Sequence, residues 1–125
     1  MEWHFDDNMP IYTQLVYQIK FAIVSGELSP GERMAGVRDL AADAGVNPNT
    51  MQRALQQLER EGLVFTQRSS GRFITEDTAV IGEAKRTLAR QHIEQFMASM
   101  KKLGYTREEI IALLEGGEEE DKNGS

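Results

Sequence analysis

The side chains best suited to recognising a partner lie between residues 46 and 58, where the chain has no acidic residue. This stretch carries amides and a guanidinium group at positions that share the outer side of a helix: Asn49, Gln52, Arg53, Gln56 and Gln57. Such groups hydrogen-bond the edges of bases in the major groove of DNA. The solvated face of an ordinary helix explains the same residues equally well, so the neighbouring elements must decide.

The sequence around these side chains has the start and stop signals of a helix. Asn47 can cap free backbone N–H groups, and Pro48 suits the first helical position because its missing N–H costs nothing there. Gly62 suits the helix end, where a left-handed backbone is tolerated. Apolar residues recur between these signals at steps of three and four: Met51, Ala54, Leu55 and Leu58. We therefore expect an amphipathic helix with its polar face outward.

A shorter helix is predicted just before it, over Val37–Ala44, with Gly45 as its stop. The link from Gly45 to Asn47 is tight and contains glycine. Two helices joined in this way form a helix-turn-helix, whose second helix enters a major groove while the first lies across the DNA backbone.

Elements on both sides complete a small domain. A helix opens at Pro10 and ends at Ser25-Gly26, and a short extended piece, Glu32–Ala35, leads into the helix-turn-helix. Residues 1–9 are expected to form a loosely held arm, in which Trp3 and Phe5 contact either the first helix or a partner subunit.

A β-hairpin is predicted after Gly62. Leu63–Gln67 and Phe73–Thr75 have strand character, and Arg68–Arg72 is a turn in which Gly71 takes a positive φ. A helix-turn-helix followed by a hairpin is a winged helix. The turn holds two arginines and two serines and no acid, which suits contact with phosphate or a minor groove. A charged, solvated hairpin tip without a partner is the alternative.

Taken together, these segments are similar to the DNA-binding domain of the GntR family of bacterial transcription regulators. The resemblance covers residues 10–75, about half of the chain. It rests on these motifs in order: Pro10-Ile-Tyr-x-Gln14, Ile23-Val-Ser-Gly-x-Leu-x-Pro-Gly31, Val37-Arg-Asp-Leu-Ala41, Gly45-Val-Asn-x-x-Thr50, Arg53-Ala-Leu55, Leu58-Glu-Arg-Glu-Gly-Leu63 and Gly71-x-Phe-Ile74.

The resemblance implies which residues meet DNA: one arginine at the start of the middle helix, the beginning of the reading helix, and the wing. Arg68 of the wing is added to these. The candidates are Arg38, Asn47, Pro48, Asn49, Thr50, Gln52, Arg53, Arg68, Ser70, Gly71 and Arg72.

Three departures from the family pattern change the expectations. Met34-Ala-Gly36 replaces the usual Leu-Pro-Ser, so glycine takes the place of a serine cap at a cost of a few tenths of a kcal/mol. The wing reads Ser69-Ser-Gly-Arg-Phe73 instead of Gly-x-Gly-Thr-Phe, which adds Arg72 as a contact. Pro48 occupies a position that reads bases in some relatives, which leaves the operator sequence open.

The second half of the chain predicts two helices. The first runs from Ala79 to about Leu103 and is ended by Gly104. The second starts at a capping box, Thr106-Arg-Glu-Glu109, with Tyr105 placed to contact Ile110 as a hydrophobic staple. It is expected to close at Gly116-Gly117.

The apolar stripes of these two helices have no third element to cover them, so a second copy of the chain is the expected partner. Folding back onto the winged domain is the alternative. The dimerisation candidates are Ile81, Ala84, Leu88, Phe96, Met100, Leu103, Ile110, Ile111 and Leu114. A tail of this length is similar to that of the YtrA-like subfamily, and it is too short for the larger effector domains found in most of the family.

The net charge of −6 is unevenly distributed. Residues 33–72 hold six arginines against four acids, a net of +2, whereas residues 76–125 hold seven bases against eleven acids, a net of −4. Partner choice follows the local field more than the total, so the acidity weakens the case for DNA without excluding it.

Other classes of function are disfavoured. The chain has no cysteine, and its two histidines lack partners at metal-ligand spacing, so we expect no metal, no cofactor and no enzyme. No stretch approaches the roughly 20 apolar residues of a membrane span, and a cytoplasmic location is expected.

The sequence thus predicts a mainly α (α+β) protein. Its parts are an arm (1–9), a winged helix-turn-helix (10–75), a two-helix dimerisation domain (76–117) and an acidic disordered tail (118–125). The expected function is sequence-specific binding of an inverted-repeat operator by a homodimeric repressor. A winged-helix protein–protein interaction module is the alternative. A small-molecule effector between winged domain and tail is a further hypothesis, with Tyr12, Tyr17, Arg90 and His92 as the available polar groups.

Overall fold

The structure is a computed structural model that describes residues 1–124, with side chains described through residue 116. The described residues form five helices and one hairpin in this order: α1 (Ile11–Val24), α2 (Val37–Ala44), α3 (Pro48–Arg60), β1 (Val64–Gln67), β2 (Gly71–Ile74), α4 (Thr78–Lys102) and α5 (Arg107–Gly124). The chain divides into two compact units, Met1–Arg86 and Thr87–Ser125. None of the helices in the described part is long and apolar enough to cross a membrane.

The core of the first unit forms where α1 and α2 pack against α3. The apolar stripe predicted for α3 is confirmed, since all four of its members are buried. Leu15 and Ile19 of α1 meet this stripe and are fully buried. The start of α4 also belongs to this unit, because Ile81 and Ala84 pack against the same core.

The two helices of the helix-turn-helix begin and end where the sequence predicts. The side-chain oxygen of Asn47 accepts the backbone N–H of Asn49 at 2.7 Å, which caps α3. Gly45 ends α2 with φ at 72°, and Gly62 follows α3 with φ at 79°. Both glycines adopt a left-handed backbone that other residues reach only with strain.

The hairpin has a shorter loop than predicted, because its second strand begins at Gly71 and not at Phe73. β1 and β2 pair antiparallel from Val64↔Ile74 to Gln67↔Gly71, so the loop is only residues 68–70. The backbone N–H of Ser70 bonds the carbonyl of Gln67 at 3.1 Å, and Gly71 follows with φ at 106°. A three-residue loop ended by a positive-φ glycine is a common hairpin solution. Arg72 therefore lies in β2 opposite Thr66 and not in the turn.

The segment Glu32–Ala35, which was predicted to be extended, lies alongside β2 in the position of a third strand. Arg33 forms an isolated antiparallel bridge with Phe73. The N–H of Met34 bonds the carbonyl of Arg72 at 2.9 Å, and the N–H of Ile74 bonds the carbonyl of Glu32 at 2.9 Å.

The N-terminal arm is bound firmly, so the expectation of a loosely held segment is wrong. The side-chain amide of Gln14 bonds both the N–H and the carbonyl of Asp6, each at 2.7 Å. The Trp3 indole N–H donates to Asp43 of α2 at 2.8 Å, and its ring stacks on Phe5. The arm packs on its own domain because these polar groups give its backbone and its indole fixed partners.

The second unit contains the predicted turn between α4 and α5. Gly104 has φ at 99°, and the N–H of Tyr105 returns to the carbonyl of Met100 at 3.2 Å, the pattern of a Schellman cap. The capping box is confirmed, because Thr106 and Glu109 exchange hydrogen bonds of 2.9 and 3.2 Å.

Helix α5 continues to Gly124 and does not end at Gly116-Gly117 as expected. Glycine inside a helix costs about 1 kcal/mol relative to alanine but does not forbid the conformation, and the glutamates that follow are good helix formers. The side chains of residues 117–125 lie outside the described part, and with them the predicted acidic tail over 118–125.

Candidate nucleic-acid interface

The candidate reading surface is the N-terminal half of α3. Asn47, Pro48, Asn49 and Arg53 are exposed, while Thr50 and Gln52 are half-buried. The first turn of this helix contains no acidic residue. The structure thus brings these six candidates together at one end of one helix, with four of them exposed.

The guanidinium of Arg53 lies over an aromatic ring. Its guanidinium carbon lies 4.7 Å from the centroid of Tyr12 in α1, a cation–π contact. The ring restricts where the arginine can point without neutralising its charge. Tyr12, one of the polar groups named for the effector hypothesis, thus contacts Arg53 of α3, and its role toward an effector stays a prediction.

The C-terminal half of the polar face of α3 is occupied by internal contacts. The side-chain oxygen of Gln57 accepts Arg60 Nη2 at 2.6 Å, and its Nε2 donates to Glu61 at 2.9 Å. Glu61 also pairs with Lys20 of α1 at 2.5 Å. Partial burial raises the pKa of Glu61, but the hydrogen bonds from Lys20 and Gln57 outweigh it and lower that pKa overall. Gln57 therefore has internal partners, and the beginning of the helix stays the candidate for base reading.

Arg38 is the second residue of α2 and is exposed. Within the described part of the chain its side chain makes no hydrogen bond or ion pair. A cation at a helix N-terminus opposes the helix dipole, so local stability does not explain an arginine at this place.

The wing candidates divide into two groups. Arg68 and Ser70 are exposed in the loop, and Gly71 and Arg72 are half-buried. Arg72 Nε donates to Glu59 Oε1 at 2.7 Å, and the same oxygen accepts the hydroxyl of Thr66 at 2.6 Å. Arg72 thus fastens the hairpin to α3 through its Nε, and its expected extra contact with DNA stays a prediction.

The ion pair with Arg72 also affects the pKa of Glu59. Partial burial raises the pKa of Glu59, but hydrogen bonds from Thr66 and Arg72 and the charge of Arg72 outweigh it and lower that pKa overall. Glu59 stays ionised at neutral pH and cancels the charge of Arg72.

A residue that sequence reasoning did not select lies beside the wing. Arg33 Nε donates to the backbone carbonyl of Ser70 at 2.8 Å. An added Cβ on Gly71 would lie 3.3 Å from the same nitrogen. The sequence shows that Arg33 is basic and lies in a predicted extended segment. Its proximity to the hairpin tip depends on the bridge to Phe73.

The nine dimerisation candidates do not share one environment. Ile81 and Ala84 pack on the core of the first unit. In the second unit Leu88 and Ile110 are buried and Met100 is half-buried, whereas Phe96, Leu103, Ile111 and Leu114 are exposed. Ile93, which was not selected, is 60% exposed, as expected for a residue three positions before Phe96 on the same stripe.

No group of three or more His, Asp or Glu side chains converges as metal ligands within the described residues. What the first unit does offer is an acid-free helix end, an exposed arginine on the preceding helix and a basic hairpin. A helix-turn-helix with a wing defines the class of winged-helix DNA-binding proteins.

The chain belongs to the GntR family: residues 11–74 match the family described as bacterial regulatory proteins, gntR family. It is therefore a transcription regulator with a DNA-binding domain. It is 40% identical over 121 residues to the uncharacterized HTH-type transcriptional regulator YhcF of Bacillus subtilis, covering 94% of this chain and 100% of that protein.

It is also 33% identical over 122 residues to the HTH-type transcriptional repressor YtrA of Bacillus subtilis, covering 91% of this chain and 94% of that protein. A solved structure of a GntR family transcriptional regulator from Listeria monocytogenes is similar, with 40% identity and a TM-score of 0.81 over 89% of this chain and 97% of that one. These comparisons confirm the predicted family, the YtrA-like assignment and the winged fold. The relatives are transcription regulators and not enzymes.

Proposed function

We propose that the protein is a repressor that binds an inverted-repeat operator as a homodimer. The observation that carries the proposal is the exposed, acid-free beginning of α3, with the unpaired Arg38 on the preceding helix. These groups suit a major groove, where amides read adenine and arginine reads guanine.

Each contact has a distinct role in this proposal. Asn49, Thr50 and Gln52 discriminate between bases, and Arg53 does so from the position that Tyr12 restricts. Asn47 uses its side-chain oxygen to cap the helix, so the role proposed for Asn47 and Pro48 is to bring the helix N-terminus close to a phosphate. The wing contributes contacts outside the major groove, which position the domain without reading bases.

The homodimer is supported by apolar side chains that the second unit leaves exposed. Leu103 and Leu114 are 73% and 65% exposed, and Phe96 and Ile111 are more than one-third exposed. Exposed apolar residues on both helices of one small unit are typical of a surface that another subunit covers. A two-fold dimer would present two reading helices to half-sites about one or more helical turns of DNA apart.

Repression is proposed from the relative named YtrA, which is described as a repressor. A repressor works where the chromosome is, so a cytoplasmic location accompanies the proposal. An effector of unknown identity stays a prediction.

The proposal is tested by selecting bound duplexes from a random pool at two salt concentrations and sequencing them. The expected result is an inverted repeat bound by two protomers, with affinity that falls steeply with salt. Arg38→Ala should weaken binding, and Lys85→Ala, which removes an exposed charge from α4 in the same unit, is the matched control. Enrichment of no sequence, with the fold intact, would favour a protein-interaction module, which the net charge of −6 also suits.

A further inference from the structure

Two cations at the wing are not neutralised by a described residue, and they are Arg33 and Arg68. The hairpin sequence alone would indicate Arg68 and Arg72. Arg72 is paired with Glu59. Arg33 and Arg68 are exposed, and neither forms an ion pair with a described residue. The positive charge of the wing is thus supplied partly from outside the hairpin.

The backbone of Arg33 is fixed against β2. Arg33 bridges Phe73, and the next residue, Met34, donates its N–H to the carbonyl of Arg72 at 2.9 Å. On the other side, the N–H of Gly31 bonds the carbonyl of Ile74 at 2.9 Å. The side chain therefore leaves from the edge of the sheet and not from a free loop.

One edge of the Arg33 guanidinium donates a hydrogen bond to the wing, and its other edge makes none to the described residues. Its Nε–H is used by the carbonyl of Ser70 at 2.8 Å. Arginine has five N–H donors in a planar fork, so four remain, and no other hydrogen bond joins them to the described residues. The fork matches the geometry of a phosphate, and this one is oriented by its own bond to the wing tip.

Gly71 leaves room for this arrangement. A side chain there would begin 3.3 Å from Arg33 Nε and 3.5 Å from its Nη2. A Cβ at this distance would require the guanidinium to move by a few tenths of an ångström, so the glycine that the hairpin needs for its positive φ also gives Arg33 room beside the loop.

We infer that Arg33 is a DNA-contacting residue of the wing, which binds a backbone phosphate with its free Nη groups while its Nε–H positions the tip. Arg68 is the second phosphate contact, and Arg72 contributes to the fold. This inference rests on the proposed DNA binding and adds a contact that neither the reading helix nor the hairpin supplies.

The test measures operator affinity between 50 and 200 mM salt for wild type, Arg33→Ala, Arg33→Lys and the control Lys85→Ala. Each lost phosphate contact lowers the salt slope by about 0.9, or about 1.8 for a two-domain complex. The ratio of the operator affinity of wild type to that of Arg33→Ala should therefore fall about twelvefold between 50 and 200 mM salt. Arg33→Lys should restore most of the slope, because it keeps the charge, but not the full affinity, because it lacks the fork.

The outcomes are distinct. If Arg33→Ala binds more weakly with an unchanged slope, the residue only supports the hairpin and the inference is overturned. Unchanged affinity overturns it as well. If wild type itself enriches no duplex, the proposed function fails and not merely the role of Arg33. Circular dichroism and thermal melting of each variant establish that the winged unit is folded, and Arg33→Lys provides the comparison if Arg33→Ala melts early.

Discussion

Replacing Glu59 by alanine should destabilise the winged unit by releasing the hairpin from α3. One carboxylate oxygen holds both Thr66 and Arg72, at 2.6 and 2.7 Å. Without it, a guanidinium that is mostly buried loses its partner, and so does a strand hydroxyl. The substitution therefore removes the polar link between the end of α3 and both strands.

The magnitude follows from the exposure of the pair. A hydrogen bond to a charged group contributes about 1.5–3 kcal/mol when shielded from water. The side chains of Arg72 and Glu59 are 18% and 31% exposed, so solvent screens part of this. A negative charge near a helix C-terminus also costs about 0.3–1 kcal/mol. We expect a net loss of about 1–2 kcal/mol at pH 7, with a melting temperature lower by about 4–8 °C for each kcal/mol.

Glu59→Gln separates charge from shape. The amide oxygen can still accept both hydrogen bonds, so about half of the loss should remain. Because the pKa of Glu59 is lowered below its ordinary value of 4.5 in the folded state, its charge stabilises the fold above pH 4.5. That contribution should disappear as the pH falls from 4.5 through the lowered pKa.

The assay is urea denaturation of wild type, Glu59→Ala and Glu59→Gln from pH 7 to pH 3. The stability difference between wild type and Glu59→Gln should be constant down to about pH 5 and should then shrink. Glu61 also has a lowered pKa, but it titrates in all three proteins and cancels in the difference. Glu27→Gln, at an exposed loop position, is the matched control. A difference that persists unchanged to pH 3 would refute the role of the charge.

Three further perturbations test the cap, the reading surface and the second unit. Asn47→Ala should cost about 1 kcal/mol in urea denaturation, since it removes the acceptor of the Asn49 N–H, and an unchanged midpoint would contradict the cap. Arg38→Ala should lose about 1–3 kcal/mol of operator affinity if it is bidentate to guanine; a uniform loss over all sequences with a shallower salt slope would make it a phosphate contact instead. Leu103→Glu combined with Leu114→Glu should yield a monomer in analytical ultracentrifugation without lowering the melting temperature of the winged unit, and a persisting dimer would place the interface elsewhere.

The parts of the fold that follow from local chemistry were predictable from the sequence. The Asn47 cap, the stop at Gly62 and the capping box from Thr106 to Glu109 each depend on residues within a few positions of one another. The apolar stripe of α3 also follows from its spacing alone. These signals were sufficient to place the helix-turn-helix and its polar face.

The errors arose where side chains meet across long sequence separations. The distance from Glu59 to Arg72 depends on the hairpin register, and a shift of one residue would direct Arg72 to the other face. Arg33 reaches Ser70 across 37 positions, and Trp3 reaches Asp43 across 40. Periodicity carries no information about such pairs, so the contact of Arg33 with Ser70 and the ion pair of Arg72 with Glu59 were not predicted, and the arm was expected to be loose.

The contact between the arm and α2 has a practical consequence for experiments on this molecule. Trp3 is the only tryptophan in the chain, so the intrinsic fluorescence excited at the red edge of the indole band comes from one site. That indole donates to Asp43, five residues after Arg38 on the same helix. Its emission therefore reports on the surroundings of α2 without any label. A red shift on urea addition would mark release of the arm, and a change on adding duplex would follow DNA binding in real time.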